Sequence, residues 1–118
     1  MTGVMILKQA YGLLGDDKRA ATADADESGL AMVNQIYSEL WHREHRTRFQ
    51  SLDVLQQPLL LSCRFMPAMA YGTAMLLAAS EEKQEVYDRF LTLYQRAASH
   101  TGGIFTERGN ALWPRRNV

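Results

Sequence analysis

Leu59-Leu60-Leu61-Ser62-Cys63-Arg64-Phe65-Met66-Pro67-Ala68-Met69-Ala70-Tyr71-Gly72-Thr73-Ala74-Met75-Leu76-Leu77-Ala78-Ala79 is the stretch on which the fold of this chain turns. Its apolar residues leave almost no polar face in any helical register. In a soluble chain such a helix has to be covered on all sides, by the rest of its domain or in an oligomer contact. Pro67 constrains where it starts, because a proline inside a helix removes one backbone hydrogen bond and clashes with the preceding turn. Either the helix begins near Arg64 with Pro67 in its first turn, or a longer helix kinks there. The first option gives a main helix over residues 65–79 with an irregular or short helical lead-in. A membrane span fits poorly, since the nearly uncharged stretch 55–80 is interrupted by Arg64 and carries Pro58, Pro67 and Gly72.

Working outward, residues 47–58 show no sustained period and form a crossing connection with Leu52 and Leu55 as anchors. Before it, Leu30, Val33, Tyr37, Leu40 and Trp41 recur at helical spacing. Asp24, Asp26, Glu27 and Ser28 supply cap oxygens and acidic first-turn charge for that helix, and it frays over residues 45–48. Nearer the N-terminus, Val4, Leu7, Tyr11 and Leu14 mark a short first helix that stops at Gly15, and residues 16–23 read as a surface loop. Beyond the central stretch, Ser80 caps a fourth helix with Glu81 and Glu82 in its first turn. Val86, Tyr87, Phe90, Leu93, Tyr94 and Ala97 line one face of it. Met69, Tyr71, Met75 and Leu76 are expected to pack against Tyr87, Phe90 and Tyr94. Gly102 and Gly103 end regular structure. The expected fold is all-α, a small bundle of about four helices over residues 1–100 with an irregular C-terminal arm over residues 101–118.

Length and charge agree with one soluble domain. At 118 residues and 13.4 kDa there is room for a single core. With 47% hydrophobic and 22% charged residues the chain is not of the disordered type. Thirteen basic side chains balance thirteen acidic ones, so no global field gathers nucleic acid. The lone Cys63 cannot form an internal disulfide, which points to a cytoplasmic product.

Catalytic chemistry finds little support. Glu39, His42 and His45 share a helix face as half of a carboxylate-histidine metal site, but the second half is missing and the remaining histidine, His100, lies far along the last helix. No metal and no cofactor are expected. Cys63 sits among Leu59, Leu60, Leu61 and Phe65 and reads as a small core hydrophobe kept a thiol by desolvation. No Gly-x-Ser-x-Gly turn, P-loop or dinucleotide fingerprint occurs. Arginine outnumbers lysine ten to three, a bias toward directed contacts with carboxylate or phosphate. One cluster is Arg43, Arg46 and Arg48, with Glu39 and Glu44 beside it. The other is Arg108, Arg115 and Arg116.

The segment Phe65-Met66-Pro67-Ala68-Met69-Ala70-Tyr71-Gly72-Thr73-Ala74-Met75-Leu76-Leu77-Ala78, the acidic break at Glu81 and Glu82, and Val86-Tyr87-Asp88-Arg89-Phe90-Leu91-Thr92-Leu93-Tyr94 together resemble head-to-tail connector (adaptor) proteins of tailed bacteriophages and prophages. Val33-Asn34-Gln35-Ile36-Tyr37-Ser38-Glu39-Leu40-Trp41 is similar to their preceding helix, so the resemblance covers about residues 30–98. It implies a non-enzymatic helical protein that assembles as a ring, dodecameric in the family, below the portal protein. Such a ring extends the DNA channel and receives a tail or stopper protein. Contact with DNA is at most non-specific, no membrane is involved, and the chain passes from the host bacterial cytoplasm to the virion neck. Residues 2–23 and the C-terminal tail have no counterpart in that pattern.

In the tail, Ile104, Phe105, Leu112 and Trp113 are more apolar than a solvated terminus needs, and Arg108, Arg115 and Arg116 can pair with carboxylates. These seven residues are the expected partner-binding set, docking on a neighbouring subunit or the portal. The alternative is that Phe105 and Trp113 fold back onto their own domain. The alternative function is a small helical DNA-binding or regulatory module, disfavoured because the helix over 65–79 has almost no polar side chain beyond Thr73 to reach a base edge.

Overall fold

The computed structural model describes residues 1–44 and 47–102, with side chains through residue 99. The described residues form five α-helices: α1 (Gly3–Leu13), α2 (Asp17–Ala21), α3 (Glu27–Glu44), α4 (Met66–Ser80) and α5 (Gln84–Gly102). Short 3₁₀ turns at Ala23–Ala25 and Cys63–Phe65 precede α3 and α4. No strand occurs among the described residues, and the all-α expectation holds.

The centre is α4. Nine of its fifteen residues are buried, and it packs against α1, α3 and α5. Its own domain therefore covers the uniformly apolar helix. Pro67 lies in the first turn, where its missing N–H has no intrahelical acceptor to lose, and the 3₁₀ turn is the short lead-in. Gly72 lets α3 approach closely, because a Cβ there would stand 2.8 Å from Ile36 Cγ2.

Around α4 the amphipathic helices place their apolar faces inward. In α1, Thr2 caps the helix by accepting from the Met5 N–H, and Ile6, Leu7, Ala10 and Tyr11 are buried. In α3, the Asp26 carboxylate accepts from the Gly29 N–H at 3.0 Å and the Ser28 hydroxyl at 2.8 Å, while Val33, Ile36, Tyr37, Leu40 and Trp41 face the core. Phe90, Tyr94 and Ala98 of α5 recur every four residues and are buried, with the Tyr71 and Phe90 rings 6.3 Å apart. Val86, Tyr87 and Leu93 are half-buried along the same contact.

The connection between α3 and α4 is ordered by polar clamps. Leu52 and Leu55 are buried as anchors. Asn34 donates to the Leu52 carbonyl at 3.0 Å and accepts from the Leu52 N–H at 2.7 Å, which holds the loop in register along α3. The Leu60 N–H donates to the Tyr37 hydroxyl at 2.9 Å, and the Leu59 N–H to the Met1 carbonyl at 2.8 Å. Phe49 stacks edge-on to Tyr37 at 5.0 Å, closing an aromatic cluster with Trp41.

Three local expectations are corrected. Residues 16–23 are not a loop: Asp16 caps the short α2 by accepting from the Arg19 N–H, and Ala23 is fully buried. Ser80 does not cap α5. It closes α4 by donating to the Leu77 carbonyl at 2.7 Å, and Glu82 takes a positive φ of 58° in the turn, so α5 starts at Gln84 with Glu85 as its first-turn acid. Cys63 is exposed, because the 3₁₀ turn sends Leu61 and Phe65 inward and leaves residues 62–64 outside.

Candidate partner-binding surface

The seven tail residues expected to bind a partner, Ile104, Phe105, Arg108, Leu112, Trp113, Arg115 and Arg116, lie outside the described residues. The half-site chemistry of α3 is used internally: Glu39 accepts a hydrogen bond of 2.6 Å from the Tyr94 hydroxyl of α5. Burial, and then that bond to a carboxylate, raise the Tyr94 pKa. His42 is exposed one turn on, and His45 lies outside the described residues. Among the described residues no three His, Cys, Asp or Glu side chains converge as metal ligands. Arg43 and Arg48 are exposed, whereas Glu44 pairs with Arg64 at 3.7 Å beside the entrance to α4.

A polar knot ties the opposite end of the molecule together. The Tyr11 hydroxyl donates to Asp26, Arg19 donates to Tyr11 at 3.0 Å and to Glu81, and Lys83 pairs with Glu81 at 3.1 Å. The Arg19 guanidinium also lies over the Tyr11 ring, 4.6 Å from its centroid. Burial and the bond to Asp26 push the Tyr11 phenol up to about 12. The Asp26 carboxyl is partly buried, which opposes its charge, but bonds from Tyr11, Gly29 and Ser28 outweigh this and hold it below the usual range. Lys83, joined by Arg19, lowers the Glu81 pKa against the effect of its burial. Sequence reading missed this knot because its partners lie 15 and 62 positions apart.

No family model, curated protein or solved structure matches the chain. The surface itself carries the functional argument. Between the start of α3 and the loop over residues 53–56 runs an open groove of about 510 Å³. Leu30, Val54 and Leu55 supply its apolar floor, Asp24 and Glu27 one wall and Asp53 the other. Gln56 donates to the Asp24 carbonyl at 3.1 Å and bridges the two walls. Val54 is 49% exposed there, so an apolar side chain stands in water amid carboxylates. The groove can take a segment that is apolar with basic ends. It has no nucleophile-base pair and no phosphate cradle. Among the described residues no helix is long and apolar enough to cross a membrane.

Proposed function

We propose that the chain is a head-to-tail connector of a tailed bacteriophage or prophage, a non-enzymatic structural subunit that joins a ring below the portal protein and supports attachment of a tail or stopper protein. The observation that carries this reading is that the segments over residues 65–78 and 86–94 pack together as one α4–α5 hairpin, with the Tyr71 and Phe90 rings 6.3 Å apart across it. Phe90 and Tyr94 are buried on the α5 side of that contact, while Gly72 turns toward Ile36 of α3. A hairpin packed through buried aromatic side chains suits a subunit that has to hold its shape under load. Zero net charge is compatible with a DNA channel, because each neutralised phosphate would add salt-dependent affinity and retard sliding.

The DNA-binding alternative is weakened by the burial of α4. Only Pro67, Ala79 and Ser80 of that helix are exposed, which leaves no row of side chains to read a groove.

Co-purification with a portal protein of the same genome tests the reading. The chain is expected to be monomeric or weakly associated alone and to join the portal as a ring, read by light scattering of each sample and of the mixture. Failure to enter any portal complex overturns the proposal. Deleting the residues after Gly103 is expected to leave a folded domain that no longer incorporates into particles. A deletion that chiefly lowers the melting temperature of the monomer would assign the tail to its own core instead.

A further inference from the structure

We infer that the groove between the start of α3 and the 53–56 loop receives the segment Leu112-Trp113-Pro114-Arg115-Arg116 of a second copy of this chain. The carboxylates of Asp24, Glu27 and Asp53 accept no hydrogen bond and form no ion pair among the described residues. Asp24 and Glu27 lie near a helix N-terminus, where acid is favoured by the dipole alone. Asp53 is on the opposite wall and belongs to no helix, so the dipole does not account for it. Nor does it account for the exposed Val54 beside Leu30 and Leu55. Acidic walls over an apolar floor ask for a segment with apolar side chains next to arginines, and Leu112 and Trp113 followed by Arg115 and Arg116 are such a segment.

Reach decides between the chain's own tail and a neighbour's. The groove lies at the N-terminal end of α3, whose eighteen residues span about 27 Å. At the other end of α3, Glu44 meets Arg64, and α5 passes with Tyr94 beside Glu39 on its way to its C-terminus. The tail therefore departs from the pole opposite the groove. Trp113 stands eleven positions beyond Gly102, and a flexible chain of eleven residues has in general a root-mean-square span of about 18 Å. Returning to the same domain's groove demands a span well above that mean, which lowers the effective concentration. A second copy placed pole to pole has no such constraint. The contact is heterologous, groove on one copy and tail on the next, and such contacts close into rings or extend into filaments. The inference requires only copies of this chain and stands apart from the connector proposal.

A fluorescein-labelled peptide of residues 104–118, titrated by anisotropy with the full chain carrying Trp113→Ala, measures the contact directly. Saturable binding is expected, weakened at least tenfold by Asp24→Lys with Asp53→Lys. A peptide carrying Arg115→Glu and Arg116→Glu is expected to recover much of the affinity toward that double variant. Both aspartates are exposed, and unchanged melting temperatures confirm that the fold is kept. Absent binding, or binding indifferent to the reversed charges, overturns the inference. Sedimentation velocity of the unaltered chain then separates the copies: average mass is expected to rise with concentration and to return to the monomer value in the aspartate variant. A concentration-independent monomer whose groove binds the peptide only after Trp113→Ala means that its own tail occupies the site, and the second-copy assignment fails. A chain that associates in this way yet joins no portal retires the connector proposal alone.

Discussion

Helices α4 and α5 form one hairpin, yet they are held in place by different physics. Polar side chains are almost absent from α4, so any rotation about its axis would still present apolar surface; its position is decided by being surrounded. Its orientation is decided by shape, chiefly the close approach of Ile36 to Gly72. In α5 the buried Phe90, Tyr94 and Ala98 alternate with exposed Asp88, Arg89, Thr92 and Gln95, so the pattern itself sets which side turns inward. Uniform apolarity predicts a central place, and periodicity predicts an orientation. Neither substitutes for the other.

The contrast is broken most severely at Phe90, the large side chain through which α5 grips α4. Phe90→Ala is expected to lose about 3–5 kcal/mol in urea unfolding, as emptying a buried aromatic site does. A loss under about 1 kcal/mol would mean that the two helices do not depend on this contact. Gly72→Ala tests the role of shape in α4. Alanine in a helix interior gains about 1 kcal/mol over glycine, but the clash with Ile36 costs about 1–3 kcal/mol, so a net loss near 1 kcal/mol is expected. A net gain would show that α3 can move away freely.

Tyr94→Phe removes the bond to Glu39 and is expected to lose about 0.5–1.5 kcal/mol at neutral pH. The pH dependence has a defined sign. Raised folded-state values for Tyr94 and Tyr11 mean that the unfolded chain loses these protons first, so stability is complete below pH 10 and declines above it. For Tyr11 that decline runs until about 12. Unfolding at pH 9 and pH 11 should show a shallower decline in Tyr94→Phe than in the parent chain. At the acid end, Asp26 and Glu81 have lowered values, so their contribution is present above the ordinary carboxylate range and is lost as pH falls below it.

The smallest effects come from Thr73 of α4 and Thr92 of α5. Thr73 in α4 is fully buried and its hydroxyl has no partner among the described residues. Thr73→Val keeps the shape and is expected to be neutral or to stabilise by up to about 1 kcal/mol. Thr92 in α5 is exposed and donates to the Asp88 carbonyl at 3.2 Å, and Thr92→Ala should change the melting midpoint by the equivalent of about 0.5 kcal/mol or less. A loss of more than about 1 kcal/mol in Thr73→Val would show that the buried hydroxyl is held by a partner after all.

Legibility followed the same division. Leu52 and Leu55 could be read as loop anchors because isolated leucines in a polar stretch have little other use, and Pro67 as a first-turn residue because a proline further in costs a hydrogen bond and a clash. Ser80 misled because a serine followed by two acids matches a helix start, whereas here the hydroxyl bonds backward and the turn consumes the acids. Cys63 misled because neighbours in sequence are not neighbours in a 3₁₀ turn, which leaves it in water beside the buried Phe65. Of the partner surface, the apolar and arginine-rich tail could be marked from composition. The groove could not, since Asp24 and Asp53 stand on separate segments that meet where the Gln56 side chain donates to the Asp24 carbonyl.

By itself the sequence determined that this chain is helical, that its centre is the stretch after Pro67, and which faces of α1, α3 and α5 turn inward, because these follow from local chemistry and a period of 3.6 residues. Only the tertiary structure decided how Tyr11, Arg19, Asp26 and Glu81 meet, where Glu39 finds its donor, and which two segments enclose the groove. Those contacts join residues tens of positions apart, and no local period records them. They arise when hydrophobic burial has already fixed the helices and the polar groups left between them must find partners or remain unpaired at a cost.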